Sequence, residues 1–195
     1  MYRTTEISKL RKGKIDHLPL TVWSLLNDKT WLAGGALQTL VDKGAKIFDY
    51  DIFFGEKEEV INVRRSLPVQ GYALIFECPK GELYTYKHPS FGTKIQLITK
   101  FFYPNMESVI DSFDIKAGMF ITNGRELVWT KDAVKGVKDK ILEIHRITYP
   151  ISTLKRLVKY AKDKGYSIPR DTYYEYFHLA TTQSWAEDDL VFYID

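Results

Sequence analysis

Hydrophobic positions recur along the chain with two periods, one helical and one alternating, and each change of period marks a new element. In LPLTVWSLLND (18–28), Leu18, Val22, Leu25 and Leu26 fall at helical spacing, with Pro19 tolerable in a first turn. TWLAGG (30–35) reads as a short strand entering a glycine turn, and ALQTLVDKG (36–44) as a helix stopped by Gly44. FDYDIFF (48–54) alternates as an aromatic strand. EKEEVINVRRSL (56–67) predicts an exposed helix closed by Pro68.

Three β-rich runs follow, YALIFECP (72–79), ELYTYKH (82–88) and KIQLITKFF (94–102), separated by Pro and Gly breaks. PNMESVIDSF (104–113) predicts a helix with Asn105 as its cap. DIKAGMFI (114–121) and ELVWT (126–130) form a strand pair around Thr-Asn-Gly-Arg, where Asn-Gly favours a type I′ turn. From Lys131 the pattern is helical. KDAVKGVKDKI is followed by ISTLKRLVKYAKDKG, with Leu154, Leu157, Val158 and Ala161 on one stripe, and then by RDTYYEYFHLATTQ. The expected class is α+β: a core over residues 1–130 and a helical C-terminal region over 131–195, with no flexible linker between them.

Composition narrows this only a little. Apolar residues at 45% and charged residues at 27% are ordinary for a globular domain. The net charge of +3 is too small to require a nucleic-acid partner, so local clusters matter more. Arg3, Lys9, Arg11, Lys12 and Lys14 crowd the first fourteen residues, and Arg146, Lys155, Arg156, Lys159 and Lys162 crowd a later stretch. Cys78 is the single cysteine, which rules out an intrachain disulfide and fits a reducing cytoplasm. No window approaches the roughly 18 apolar residues of a membrane span, so a cytoplasmic protein with no membrane partner is expected.

Several chemistries lack their residues. The P-loop pattern and the Gly-x-Ser-x-Gly elbow are absent, and His17, His88, His145 and His178 show no metal-ligand spacing. Asp49-Tyr50-Asp51 differs in kind. On a strand the two carboxylates share one face while Tyr50 and Ile52 take the other. Two acids so placed repel unless both reach water or a cation lies between them. One or two carboxylates completed by substrate phosphates are a usual Mg²⁺ site. Upstream, Gly34-Gly35 lets a phosphate approach the backbone closely at the start of a helix.

LAGGALQTLVDKGAKIFDYDIFF resembles the opening motif of the DNA polymerase β-type nucleotidyltransferases, nearest to the head domain of poly(A) polymerases and CCA-adding enzymes. KIQLITKFF is similar to the strand that carries their third carboxylate, and VIDSFDIKAGMF to their Arg-Arg-Asp segment. TLKRLVKYAKDKGYSIP resembles nucleotidyltransferase-like proteins of large DNA viruses and phages. The likeness covers roughly residues 28–125. The chain departs from it at Gln38-Thr39, in place of Arg-Asp after the glycines; at Gln96, in place of the third carboxylate; and at Phe113, in place of the second arginine.

The resemblance implies a nucleotidyltransferase-like mixed sheet flanked by helices, and NMP transfer from an NTP to an acceptor hydroxyl. Asp49 and Asp51 would hold Mg²⁺ (or Mn²⁺), with Asp114 as a further catalytic carboxylate. Gly34 and Gly35, with Lys155, Arg156 or Lys159 from the tail, would bind the nucleotide. The acceptor is an RNA or tRNA end, a small molecule or a protein. The alternative is a module that binds nucleotide or nucleic acid without turnover, because the Gln96 amide is a poor metal ligand and no base.

Overall fold

The computed structural model describes residues 1–7 and 18–182. Lys9, Arg11, Lys12, Lys14 and His17 lie outside the described residues. The chain runs β1 (Tyr2–Glu6), α1 (Leu20–Leu25), β2 (Thr30–Ala33), a 3₁₀ helix (Gly34–Leu40), β3 (Tyr50–Phe54), α2 (Lys57–Val69), β4 (Ala73–Glu77), β5 (Leu83–Lys87) and β6 (Lys94–Ile98). It continues through α3 (Met106–Asp111), a 3₁₀ turn (Lys116–Gly118), β7 (Phe120–Thr122), β8 (Glu126–Thr130), α4 (Lys131–Asp139), α5 (Pro150–Lys164) and α6 (Arg170–Thr182).

The strands form one mixed sheet in the order β1-β8-β7-β2-β3-β6-β5-β4. β3 and β6 are parallel, and the other pairings are antiparallel. Pairing aligns Ala33, Asp51, Gln96 and Thr85 in one row across β2, β3, β6 and β5. The adjacent row, Leu32, Ile52, Leu97 and Tyr84, points to the opposite face. That face is covered by α2, whose Arg64 guanidinium lies 3.9 Å from the Tyr84 ring centre and whose Val60, Val63 and Leu67 are buried. The α2 helix is therefore amphipathic, not fully exposed, and it continues one residue past Pro68.

Other local expectations shift for identifiable reasons. Residues 36–43 do not form an α-helix. The 3₁₀ helix ends at Leu40, and the Asp42 carboxylate accepts the Gly44 N–H, so Gly44 serves a side-chain turn rather than a helix stop. Asn123 does not adopt positive φ, as a type I′ turn requires, whereas Gly124 does, at +87°. The Asn123 side chain accepts the N–H groups of Arg125 and Glu126, and that holds the β7–β8 connection instead. Residues 114–118 form a bend and a 3₁₀ turn ahead of β7. Asn105 caps α3 as expected, accepting the Ser108 N–H.

The helical tail shares the main core: Ala133, Val137, Leu142, Ile144, Leu157, Tyr166 and Tyr176 belong to one buried cluster with the strands. On α5 the buried face is Pro150, Ser152, Thr153 and Leu157, not the expected stripe, since Leu154 and Val158 remain 40% and 53% exposed. Leu157→Ala is expected to cost about 2–5 kcal/mol of unfolding free energy in urea titrations. Val158→Ala should stay within about 0.5 kcal/mol; equal losses would contradict this helix orientation.

Candidate active site

Asp51 occupies the second position of β3, directly opposite Ala33 of β2, and the chain turns at Gly34 immediately after Ala33. Gly34 has φ of +83°, and a side chain there would meet Asp51 Oδ2 at 3.6 Å and the Phe113 ring at 3.7 Å. The Asp51 carboxylate therefore faces the glycine turn, and only glycine satisfies both the backbone conformation and the close approach. Asp49, one residue before β3, lines the same cleft of about 230 Å³.

Parallel pairing sets Gln96 beside Asp51. Phe48, Phe53, Phe101, Tyr103 and Phe113 supply apolar walls to the cleft. Its roof is α5, which contributes Arg156, Lys159, Tyr160 and Lys164. At i, i+4 and i+8, Arg156, Tyr160 and Lys164 fall on one helical face.

Gly34, Gly35, Asp49, Asp51, Asp114, Arg156 and Lys159 all line the cleft. Lys155 is exposed and lines a neighbouring groove with Phe76, Lys94, Leu154 and Val158. Asp114 lies in the bend after α3, and its Oδ2 accepts from the Thr153 hydroxyl at 2.9 Å and forms an ion pair with Arg156. Its geometry is that of an anchor for the guanidinium. Elsewhere, His145 and Arg146 contact Asp111, and His88 packs between Tyr72 and Phe91.

Gln38 and Thr39, the departures after the glycines, are buried. Thr39 donates to the Ala36 carbonyl at 2.8 Å, within its own turn. Gln38 Nε2 donates to the Ala117 carbonyl at 2.9 Å and lies 3.3 Å from the Tyr160 hydroxyl, while its Oε1 accepts from Lys164 Nζ at 3.3 Å. Sequence reasoning missed Lys164, Tyr160 and this bridge. The four-residue spacing from Arg156 carried the signal, but only once Leu157 fixes which face of α5 points inward.

Burial pulls the Lys164 pKa down to about 8; Asp49 opposes the shift, Lys159 adds to it, and Asp51 and Lys140 act more weakly in the same two senses. Burial also raises the Tyr160 pKa, helped by Tyr166, Asp114 and Asp51, so its hydroxyl stays protonated near neutrality. Among the described residues no three His, Cys, Asp or Glu side chains cluster to hold a metal. Asp49 and Asp51 fit a hard divalent ion that takes its remaining ligands from phosphate and water.

Searches against solved structures find this fold among tRNA nucleotidyltransferases. The Thermotoga maritima CCA-adding enzyme complexed with tRNA aligns with a TM-score of 0.63 at 15% identity, over 91% of this chain and 46% of that one. A CCA-adding enzyme complexed with ATP aligns with a TM-score of 0.66 at 15% identity, over 90% and 46%. A tRNA nucleotidyltransferase with a primer tRNA and an incoming ATP analog gives 0.55 at 14%, over 78% and 47%. The chain thus has a nucleotidyltransferase-like fold and spans about half the length of these structures. No curated protein matches its sequence. A family model described as Gabija anti-defense 2 family protein matches residues 6–140.

The depressed Lys164 pKa makes a pH-dependent prediction. Between about pH 8 and 10.5 the unfolded lysine holds its proton and the folded one releases it, so stability should rise with pH across that window. In thermal melts with chelator present, wild type should gain on Lys164→Met from pH 8 to pH 10. A constant difference would show that the ammonium is not desolvated.

Proposed function

The chain belongs to the Gabija anti-defense 2 family, and from that premise we propose that it transfers a nucleoside monophosphate from an NTP to an acceptor hydroxyl. The observation that carries this reading is the Asp51 carboxylate facing the Gly34 turn, with Asp49 and the α5 cations in the same cleft.

Asp49 and Asp51 would hold Mg²⁺ or Mn²⁺. When bound, such an ion would offset phosphate charge and make the acceptor hydroxyl more acidic. The glycine turn leaves room for the triphosphate to lie against the backbone. Arg156, aimed by Asp114 and Thr153, and Lys159 would offset the charge that builds on departing pyrophosphate. The acceptor oxygen bonds to the α-phosphorus as the bond to pyrophosphate breaks, and the hydroxyl proton passes to an Asp carboxylate or to solvent. Phe48, Phe53 and Phe101 offer aromatic surface for a base.

The solved relatives named above were captured with ATP or an ATP analog and with tRNA. An RNA or tRNA end is therefore the first acceptor class to test, and a protein hydroxyl the second. The family description sets the activity against the Gabija defence, so the acceptor would be a molecule on which that defence depends. A cytoplasmic site of action suits NTP chemistry, and no helix among the described residues is long and apolar enough to cross a membrane.

Gln96 favours a second reading, in which the cleft binds nucleotide without turnover: the group in register with Asp51 is a neutral amide that cannot accept a proton. The two readings separate when the protein is incubated with Mg²⁺, each α-labelled NTP, total RNA and cell protein, beside Asp49→Ala/Asp51→Ala. Labelling by wild type alone, abolished by chelator, is the expected result. NTP binding without any labelled product would leave the binding module, and no NTP binding at all would overturn both.

A further inference from the structure

We infer that Lys164 is the residue that grips the triphosphate tail of the nucleotide, and that Gln38 is its positioning residue. The inference rests on the cleft being a nucleotide site, and it names a contact made by neither of the acids nor by the α5 cations anticipated from sequence.

The geometry begins at Gly35. A methyl group on Gly35 would lie 2.9 Å from Lys164 Nζ and 3.6 Å from the Tyr160 hydroxyl. The ammonium thus rests on the glycine turn itself, at the end of the cleft where a phosphate must approach the backbone. Gln38 holds it there. The Ala117 carbonyl accepts from Gln38 Nε2, so the amide oxygen is the end that faces Lys164. Gln38 is fully buried, one turn beyond the glycines, and cannot reorient without breaking that bond. The Tyr160 ring, 4.4 Å from Nζ, covers another side of the charge.

This arrangement carries a cost that the nearby acids do not cancel. Burial takes hydration from the Lys164 ammonium that the Gln38 amide does not replace and that Asp49 and Asp51 offset only in part. A phosphate oxygen replaces it with a charge-assisted hydrogen bond in a site partly closed to water. A nucleoside monophosphate held by its base and α-phosphate would not reach the turn, whereas the β- and γ-phosphates would. Lys164 therefore distinguishes triphosphate from monophosphate. Gln38, which replaces an arginine in the resembled motif, is a support for a cation brought in by α5.

The test is binding of each of the four NTPs and the matching NMPs, with Mg²⁺, to wild type, Lys164→Gln, Lys164→Arg and Gln38→Leu. Lys164→Gln should weaken NTP binding by roughly 10–100-fold, while NMP affinity stays within about twofold. Lys164→Arg should keep most of the preference for triphosphate, and Gln38→Leu should lose part of it. Lys164→Gln removes a desolvated charge, so its melting temperature should not fall; if it fails to fold, the other two variants carry the comparison. Equal losses for NTP and NMP, or none, in Lys164→Gln would overturn the inference and leave the nucleotide site standing. Failure of wild type to bind any NTP would overturn both.

Discussion

Two like charges held close at the start of one strand set the terms for everything around them. Asp49 and Asp51 are only partly exposed, and Asp51 faces a backbone turn that offers it no side chain. Such a pair persists when cations or water stand near it, and Arg156, Lys159 and Lys164 come from one helix. α5 must therefore be fixed over the sheet to within a side chain's reach. Leu157 seats it in the core, and Asp114 takes Arg156 and Thr153 from its inner face. At its ends the Tyr176 hydroxyl donates to the Pro150 carbonyl, and Gly165 adopts the left-handed conformation that terminates the helix. The tail of the chain is best understood as the means of holding that helix in place.

The row Ala33–Asp51–Gln96–Thr85 explains why the rest of the sheet matters to the site. Antiparallel pairing puts the glycine turn at one side of Asp51, and parallel pairing puts Gln96 at the other. The opposite row, capped by α2, is apolar and locks this register, because a one-residue slip would turn Ile52 and Leu97 into the cleft and Asp51 into the core. The strength of the hydrophobic face thus sets the precision of the polar one.

Alternation made the shared cleft of Asp49 and Asp51 legible in the sequence, and the neighbouring glycines made the turn that faces Asp51 legible. The partners of Gln38 were not, because its contacts to Ala117, Tyr160 and Lys164 span 79 to 126 residues and leave no periodic trace. The α5 face was misread because apolarity marks a helix face only where the face meets apolar neighbours. Here Thr153, Arg156, Tyr160 and Lys164 turn toward the cleft and its carboxylates, while Leu154 and Val158 remain exposed. β1 escaped notice for a related reason. Tyr-Arg-Thr-Thr-Glu lacks an apolar stripe and joins the sheet edge through its backbone pairing with β8.

Gln96 changes the charge balance as well as the proton chemistry. Around the cleft stand Asp49, Asp51 and Asp114 against Lys100, Arg156, Lys159 and Lys164. The Asp114–Arg156 pair neutralises itself and Lys100 pairs with Glu82, which leaves two acids facing two lysines. A third carboxylate beside Asp51 would tip that remainder negative and repel a polyphosphate before any metal arrived. With an amide there, the cleft keeps Asp49 and Asp51 from the β3 side opposite Lys159 and Lys164 from α5, the two sets meeting at the glycine turn. A magnesium-bound nucleotide would meet both groups, its cation with the acids and its phosphates with the lysines. Under the proposed function, an amide in place of a third acid would favour the hold on the ligand at the same position where it weakens proton acceptance. In the proposed chemistry, tight nucleotide binding and slow transfer have a single origin.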